Sequence, residues 1–268
     1  MDRLRFRSLA SGSSGNCYFI GNASYGILID AGVGIRRIKH FLRTMGLDFR
    51  DIWGVFVTHD HTDHIKAVGV LGEKHNIPVY ATQKIHNGIN RNYRVTQKLG
   101  NSRRFVAVGE IVTIGDITVK SFSVSHDASE SVGFQIGYKE KTFVVATDLG
   151  YIPDDVTPYL MSADYLVLET NYDDDMLANG TYPHYLKERI KRDTGHLSNR
   201  QAAEFLSTHF TKKWKYIFLC HLSKDNNLPE IAYNTITRHW TDNLPETEEK
   251  PILVPLERTT PSQLYVFD

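Results

Sequence analysis

The stretch Thr58-His59-Asp60-His61-Thr62-Asp63-His64, directly after the apolar run Val55-Phe56-Val57, constrains this chain more than any other. In extended chain alternate side chains point the same way, so His59, His61 and Asp63 face one spot, and His64 turns back from the segment that follows. Imidazoles and carboxylates grouped in this way are donors suited to Zn, and also to Mn or Fe. Four donors between residues 59 and 64 exceed what one catalytic ion with an open position takes from so short a segment, so two adjacent divalent ions are expected. The plain alternative is a set of unrelated polar residues in a loop. At this histidine and aspartate content, chance would produce the spacing in on the order of one such sequence in a thousand.

An apolar strand that ends on a metal-capable side chain recurs along the chain. Gly26-Ile27-Leu28-Ile29 ends at Asp30, Val119 to Val124 runs to His126, and Phe143-Val144-Val145-Ala146 reaches Asp148. Tyr165-Leu166-Val167-Leu168 reaches Glu169, and Tyr216 to Cys220 reaches His221. Strand ends at a common sheet edge are where layered α/β folds assemble active sites, because the strands fix the loops that follow them. A single strand-end aspartate is most simply a cap or a surface residue, but the repetition favours convergence. His40, His75, His86, His209 and His239 lack this context and read as surface or packing histidines. Helices are expected over roughly 35–42, 64–76, 82–99, 151–162, 183–192, 199–210 and 228–240, giving an α/β sandwich with sheets inside and helices outside. The turn at Pro153 suggests a midpoint, so 1–268 reads as a single domain of two interlocked halves, about 1–150 and 151–268.

Composition matters here for what it excludes. Lys plus Arg (31) balances Asp plus Glu (31), so no global basicity announces a nucleic-acid partner. Only two cysteines occur, Cys17 and Cys220, which argues against a disulfide framework and for a reducing, cytoplasmic setting. The opening Met1-Asp2-Arg3-Leu4-Arg5-Phe6-Arg7 lacks the apolar core of a signal peptide, and no apolar run is long enough to span a bilayer, so no membrane partner is expected. The neutral total hides one asymmetry. From Lys74 to Gly109 there is no Asp or Glu, while Lys74, Lys84, Arg91, Arg94, Lys98, Arg103 and Arg104 are all basic. Such a segment can track a phosphate backbone, with Arg103 and Arg104 as candidate contacts; alternatively it is a solvated face balanced by acidic stretches such as Asp173-Asp174-Asp175.

Two loops invite a similar choice. Ser11-Gly12-Ser13-Ser14-Gly15-Asn16 forms the tip of a hairpin, where Ser11, Ser13, Ser14 and free backbone amides can approach a phosphate, or where there is only a turn. Gly195-His196-Leu197-Ser198 precedes a helix that begins near Asn199. Amides at a helix N-terminus, with His196 and Ser198, suit an anion clamp; alternatively Ser198 merely caps the helix and His196 is exposed.

Asp30, the His59 cluster, His126, Asp148 and His221, in that order, resemble the metallo-β-lactamase-fold hydrolase superfamily. More narrowly, Ser8-Leu9-Ala10-Ser11-Gly12-Ser13-Ser14-Gly15-Asn16, Gly195 to Asn199 and His221-Leu222-Ser223-Lys224-Asp225-Asn226-Asn227 resemble the YycJ (WalJ) group. The resemblance implies a four-layer αβ/βα sandwich with a dinuclear site at the edge between two mixed sheets. By carry-over, His59, His61 and His126 would hold one ion, Asp63, His64 and His221 the other, and Asp148 would bridge them. Asp30 would orient ligands. Common β-lactamases typically carry Cys where Asp148 stands, which disfavours antibiotic hydrolysis.

Two ions bridged by a carboxylate lower the pKa of a shared water towards about 7, so a bridging hydroxide is the expected nucleophile. Asp63, Asp30 and His196 would stand nearest the chemistry, with His196 binding phosphate or protonating the leaving oxygen. Gly195-His196-Leu197-Ser198 resembles the Gly-His-Ala-Ser type motif of superfamily nucleases such as ribonuclease J, with Leu in place of Ala. A substantial C-terminal helical extension, as in glyoxalase II, is not expected. The YycJ resemblance implies a DNA exonuclease. A hydrolase of a small ester, thioester or lactone stays open, as does a nucleic-acid-binding regulator with little turnover.

Overall fold

The computed structural model describes residues 3–268; Met1 and Asp2, at the head of the opening stretch, lie outside the described residues. Among the described residues the strands form two mixed seven-stranded sheets. The first runs, in spatial order, β14 (Tyr265–Phe267), β1 (Leu4–Ala10), β2 (Cys17–Gly21), β3 (Gly26–Ile29), β4 (Ile52–Phe56), β5 (Val79–Ala81) and β6 (Arg103–Phe105). The second runs β13 (Ile252–Pro255), β12 (Tyr216–Cys220), β11 (Tyr165–Glu169), β10 (Lys141–Ala146), β9 (Val132–Tyr138), β8 (Ile117–Ser123) and β7 (Ile111–Ile114). With their helices these sheets make the α/β sandwich expected from the alternation of strand and helix patterns.

Each sheet is antiparallel at one end and parallel at the other. β1, β2 and β3 pair antiparallel, whereas β3 to β6 pair parallel. β9 and β10 form an antiparallel hairpin, and β10 to β13 are parallel. The parallel registers matter most, because they bring C-terminal strand ends to one edge. Ile29 lies opposite Phe56, which aligns the exits of β3 and β4. Ala146 pairs with Leu168 and Leu168 with Leu219, which aligns the exits of β10, β11 and β12.

The chain divides into two compact units: one of residues up to Lys120 with Ala128–Glu130 and Glu257–Asp268, the other of Ser121–Asp127 and Ser131–Leu256. Pro153 lies inside the second unit. The first unit carries helices α1 (Ile35–Thr44), α2 (Thr62–Ile65), α3 (Val68–His75) and α4 (Gln83–Arg91). The second carries α5 (Thr157–Met161), α6 (Asp174–Asn179), α7 (His184–Lys191), α8 (Asn199–Thr208) and α9 (Pro229–Asn243). Its core sets Val144, Leu166, Leu168, Ile217 and Leu219 against Leu160 of α5, Leu206 of α8 and Ile236 and Trp240 of α9. Burial of each such side chain contributes about 1.5–3 kcal/mol.

Three helices are shorter than their apolar periodicity predicts. The expected helix over 64–76 is broken because Ala31 N–H donates to the His64 carbonyl, and the Ala31 carbonyl accepts Ala67 N–H, both at 2.8 Å, replacing helical partners. The expected helix over 82–99 stops at Arg91. Beyond it the Asn92 side chain turns aside to donate to the Asp60 carbonyl (3.2 Å), and Asn90 clasps both the N–H and the C=O of Leu99 at 2.9 Å. Within 151–162 only Thr157–Met161 is helical, with a turn closed on the Pro153 carbonyl before it and Pro158 in its first turn, where a missing N–H is harmless. Among the described residues no helix is long and apolar enough to cross a membrane.

Candidate metal centre

In the first unit, the chain leaves β3 at Asp30 with φ at 60°, a left-handed conformation uncommon outside glycine. That bend turns the fully buried Asp30 carboxylate towards the exit of β4. Oδ1 accepts from Thr58 N–H (2.8 Å), and Oδ2 accepts from Thr58 Oγ1 (2.8 Å) and His64 Nδ1 (2.7 Å). Burial pushes the Asp30 carboxyl up from its ordinary value, although His64 and Thr58 both pull it down. With Nδ1–H committed to Asp30, His64 presents Nε2 as its electron-pair donor. Asn16 Nδ2 lies 2.9 Å from that nitrogen and Asp63 Oδ2 3.6 Å. His59 has Nδ1 3.0 Å from Thr58 Oγ1, and its ring centre lies 4.7 Å from that of His61 and 4.1 Å from that of His64. His59, His61, Asp63 and His64 are therefore one cluster in space.

Gly32 locks this cluster to the hairpin tip. A Cβ at Gly32 would overlap the Asp63 carbonyl oxygen, which itself accepts from Asn16 N–H at 2.7 Å. Asp60, between the first two histidines, accepts from Ser129 N–H (3.1 Å) and Ser129 Oγ (2.7 Å), anchoring the loop from outside.

The second unit repeats the device. Asp148, two residues beyond β10, and His221, one beyond β12, both have φ at 55°. Glu169, the last residue of β11, is fully buried. Its Oε1 accepts from both His196 Nδ1 (2.8 Å) and His221 Nδ1 (2.9 Å), and Oε2 accepts from the N–H of Leu149 (2.9 Å) and of Leu197 (3.3 Å). Donor atoms of Asp148, Glu169, His196 and His221 all lie within 4.8 Å of one another. His126 has Nδ1 2.9 Å from the Gly195 carbonyl and Nε2 3.7 Å from Asp148 Oδ1. Burial drives the His126 pKa down against the pull of Asp148. Burial also pushes the Glu169 carboxyl up, but the charge of His196 and the hydrogen bonds from His196 and His221 outweigh it, so the net direction is down.

This donor chemistry fits divalent cations. A metal requires neutral imidazoles and ionised carboxylates, and ligating histidines characteristically spend the other ring N–H on a carboxylate or carbonyl. His64 on Asp30, His126 on Gly195 and His221 on Glu169 each do so.

A family model described as the beta-lactamase superfamily domain matches residues 25–214. This chain belongs to the beta-lactamase superfamily. Within it, the chain is 37% identical over 236 residues to "Exodeoxyribonuclease YycJ" of Bacillus anthracis, covering 88% of each. It is 36% identical to "Exodeoxyribonuclease WalJ" of Streptococcus pneumoniae, covering 87% of each. Among solved structures it resembles the metallo-beta-lactamase fold protein YhfI from Bacillus subtilis, with a TM-score of 0.73 at 15% identity over 99% of this chain and 100% of that one. The chain is thus a metal-dependent hydrolase of this superfamily, in the neighbourhood of proteins named as exonucleases.

The loop residues expected to meet phosphate separate into two groups. Ser13 and Ser14 line a cleft of about 620 Å³ in the first unit, together with Asp63, Lys66, Tyr93 and Arg94. Ser11, by contrast, is fully buried, its Oγ 2.8 Å from Tyr18 Oη, and acts inside the hairpin. Ser198 is also fully buried: its Oγ accepts Gln201 N–H at 3.1 Å while Gln201 reaches back to Ser198 N–H at 2.9 Å, a complete capping box. The capping reading of Ser198 therefore replaces the phosphate reading. Arg103 and Arg104 sit on the edge strand β6 and donate to their own loop, to the Gly100 carbonyl (3.2 Å) and the Asn101 carbonyl (3.0 Å), and neither lines the cleft. His86 is a packing histidine, buried with Nε2 3.2 Å from the Arg104 carbonyl.

Sequence reasoning did not single out Glu169, Asn16 or Lys66 as site residues. Glu169 carried the strand-end signal but no family assignment, Asn16 stood in the Ser/Gly loop and in the resemblance motif without a role of its own, and Lys66 carried no signal.

Proposed function

We propose that this chain is a dinuclear metal-dependent phosphodiesterase that acts on DNA as an exonuclease. On this reading His59, His61 and His126 would hold one ion, Asp63, His64 and His221 would hold the other, and Asp148 would be shared between them. Zn is the ion we assign, with Mn or Fe as alternatives, since imidazole and carboxylate donors suit all three. Bound divalent ions supply Lewis acidity towards a phosphoryl oxygen and hydroxide at neutral pH. The single observation that carries the reading is the set of histidines whose Nδ1–H groups are already spent on Asp30, Gly195 and Glu169, beside two strand-end carboxylates. The choice of DNA follows the two relatives named exodeoxyribonucleases.

The chain's own residues then divide the work. Asp30 holds His64, and Glu169 holds His221, so both rings are oriented before an ion arrives. Glu169 Oε1 also fixes His196 through Nδ1, leaving Nε2 to carry the proton that the leaving oxygen takes up. Ser13 and Ser14, beside Asp63 in the cleft, are placed to donate to phosphate oxygens. Buried thiols at Cys17 and Cys220 accord with a reducing, cytoplasmic setting.

The test is to load the metal-free protein with Zn or Mn separately and assay end-labelled DNA, RNA, a simple phosphodiester and a thioester in parallel. DNA should be cleaved from an end; thioester turnover without phosphodiester cleavage would overturn the proposal. Asp148→Ala should lose metal and activity together while the circular dichroism spectrum is retained, and full activity in that variant would remove its bridging role.

A further inference from the structure

Tyr93 is the most exposed large hydrophobic side chain among those described, at 80% of its full accessibility. It lines the cleft that also contains Asp63, one of the candidate ligands. Two further features set it apart from an incidental surface tyrosine. First, it is held: Arg94 Nε donates to Tyr93 Oη at 3.1 Å, with the guanidinium 5.4 Å from the ring centre. Second, the backbone that carries it is tied to the ligand loop. The preceding Asn92 donates through Nδ2 to the Asp60 carbonyl at 3.2 Å and to Thr62 Oγ1 at 3.3 Å, and the Asn92 carbonyl accepts Lys98 Nζ at 2.7 Å. The segment that carries Tyr93 is thereby tethered to the one that holds His59, His61 and Asp63.

The rest of the lining is polar and cationic. Ser13 and Ser14 bring hydroxyls, Lys66 and Arg94 bring positive charge, and Arg258 reaches Ser14 Oγ at 3.0 Å. An exposed aromatic face beside cations and hydroxyls is the combination that single-stranded nucleic-acid sites use: the ring takes a base, the cations take phosphates, and every base has a face to offer. The cleft, at about 620 Å³, has the size of a small-molecule site and so accommodates a nucleotide unit.

We infer that Tyr93 is the base-stacking platform of a single-strand site that leads to Asp63, with Lys66 and Arg94 neutralising the phosphates on either side of the stacked base. This rests on the nuclease reading above for its substrate but not for its test, which reads binding and needs no turnover. A stacked base makes the site tolerant of sequence and selective for an unpaired strand, because a base inside a duplex has no free face.

The test is a two-by-two comparison on the metal-loaded protein. Anisotropy gives Kd for a short single-stranded oligodeoxynucleotide protected by phosphorothioate linkages, and for matched strands with an abasic residue at the 5′-terminal, 3′-terminal or an adjoining position. Tyr93→Ala should weaken binding of the intact strand about tenfold or more, within the range seen for loss of base–aromatic stacking, while Tyr93→Phe stays within about twofold of the parent protein. For the strand lacking the stacked base, parent and Tyr93→Ala should bind alike. Equal affinity of parent and Tyr93→Ala for the intact strand would overturn the inference, as would a loss of the same size on every abasic strand. Absence of oligonucleotide binding by the parent protein would overturn it too. If the strand binds with the predicted pattern and the unprotected strand is never cleaved, the nuclease reading fails while the stacking site stands.

Discussion

Glu169 gives one carboxylate oxygen to two imidazoles, which makes it the residue on which the second donor set turns. Replacing it with Gln keeps the shape but removes the charge that favours both Nδ1–H groups. We therefore expect Glu169→Gln to weaken metal binding about 10–100-fold, the usual loss when a partner behind the ligands is removed. A competition titration against a chromogenic chelator reads this directly, and parental affinity in the variant would show that Glu169 does not orient the ligands. The left-handed backbone at Asp30, Asp148 and His221 is a second residue-scale feature. Such conformations cost on the order of 1–3 kcal/mol each in a non-glycine residue and persist where the surrounding structure imposes them. All three directly follow or closely follow parallel strands, where the chain must bend sharply to aim a side chain along the sheet edge.

At the scale of elements, the chain leaving β3 packs closely against α2. Gly32 has no room for a Cβ against the Asp63 backbone, so Gly32→Ala must displace the loop that carries the candidate ligands. The expected cost is about 3 kcal/mol, typical of severe overpacking, and a thermal melt together with metal titration should show both stability and affinity falling. Unchanged values for the pair would mean that the loop yields freely. The N-terminus of α8 gives a milder prediction. Ser198→Ala removes a capping box and should cost about 1 kcal/mol of stability, without altering oligonucleotide affinity. A selective loss of affinity would restore a phosphate role for Ser198. A third joint is sensitive to pH: Glu73 of α3 accepts from the N–H groups of Gly100 (2.8 Å) and Ser102 (3.1 Å) and from Ser102 Oγ, and these bonds pull its pKa down from 4.5 to about 2. Because the folded value lies below the unfolded one, this clamp stabilises fully above about 4.5 and is lost as pH falls from there towards 2. Faster hydrogen exchange at the Gly100 and Ser102 amides over that window would report its release, and Glu73→Gln should remove the pH step.

For the whole molecule, a formal net charge of +0 means that attraction to a polyanion must come from local placement of charge. If Lys66 and Arg94 neutralise phosphates, Lys66→Ala/Arg94→Ala should flatten the plot of log Kd against log salt by about 0.7 for each phosphate of a single strand left without its cation. Arg103→Ala/Arg104→Ala should leave that slope in place, because these side chains are engaged with their own loop. The opposite ranking would move the strand to the β6 edge. Much of this molecule is legible in its sequence. Candidate donors and strand exits are local properties: His-x-His-x-Asp-His follows from the two-residue period of extended chain, and an apolar run that stops at Asp30, Asp148 or His221 marks where a buried strand meets its edge. Helix limits are less legible because partners from elsewhere decide them, as Ala31 does for the break after α2 and Asn90 for the end of α4. By itself, then, the sequence determined which candidate metal donors are present and the order in which they appear. Only the tertiary structure decided that Ser11 and Ser198 are internal, that Glu169 serves two histidines, and that Lys66 and Tyr93 share a cleft with Ser13 and Asp63. The physical reason is range: side-chain type and alternation act over neighbouring residues, whereas a cleft lining sums residues brought together from distant parts of the chain.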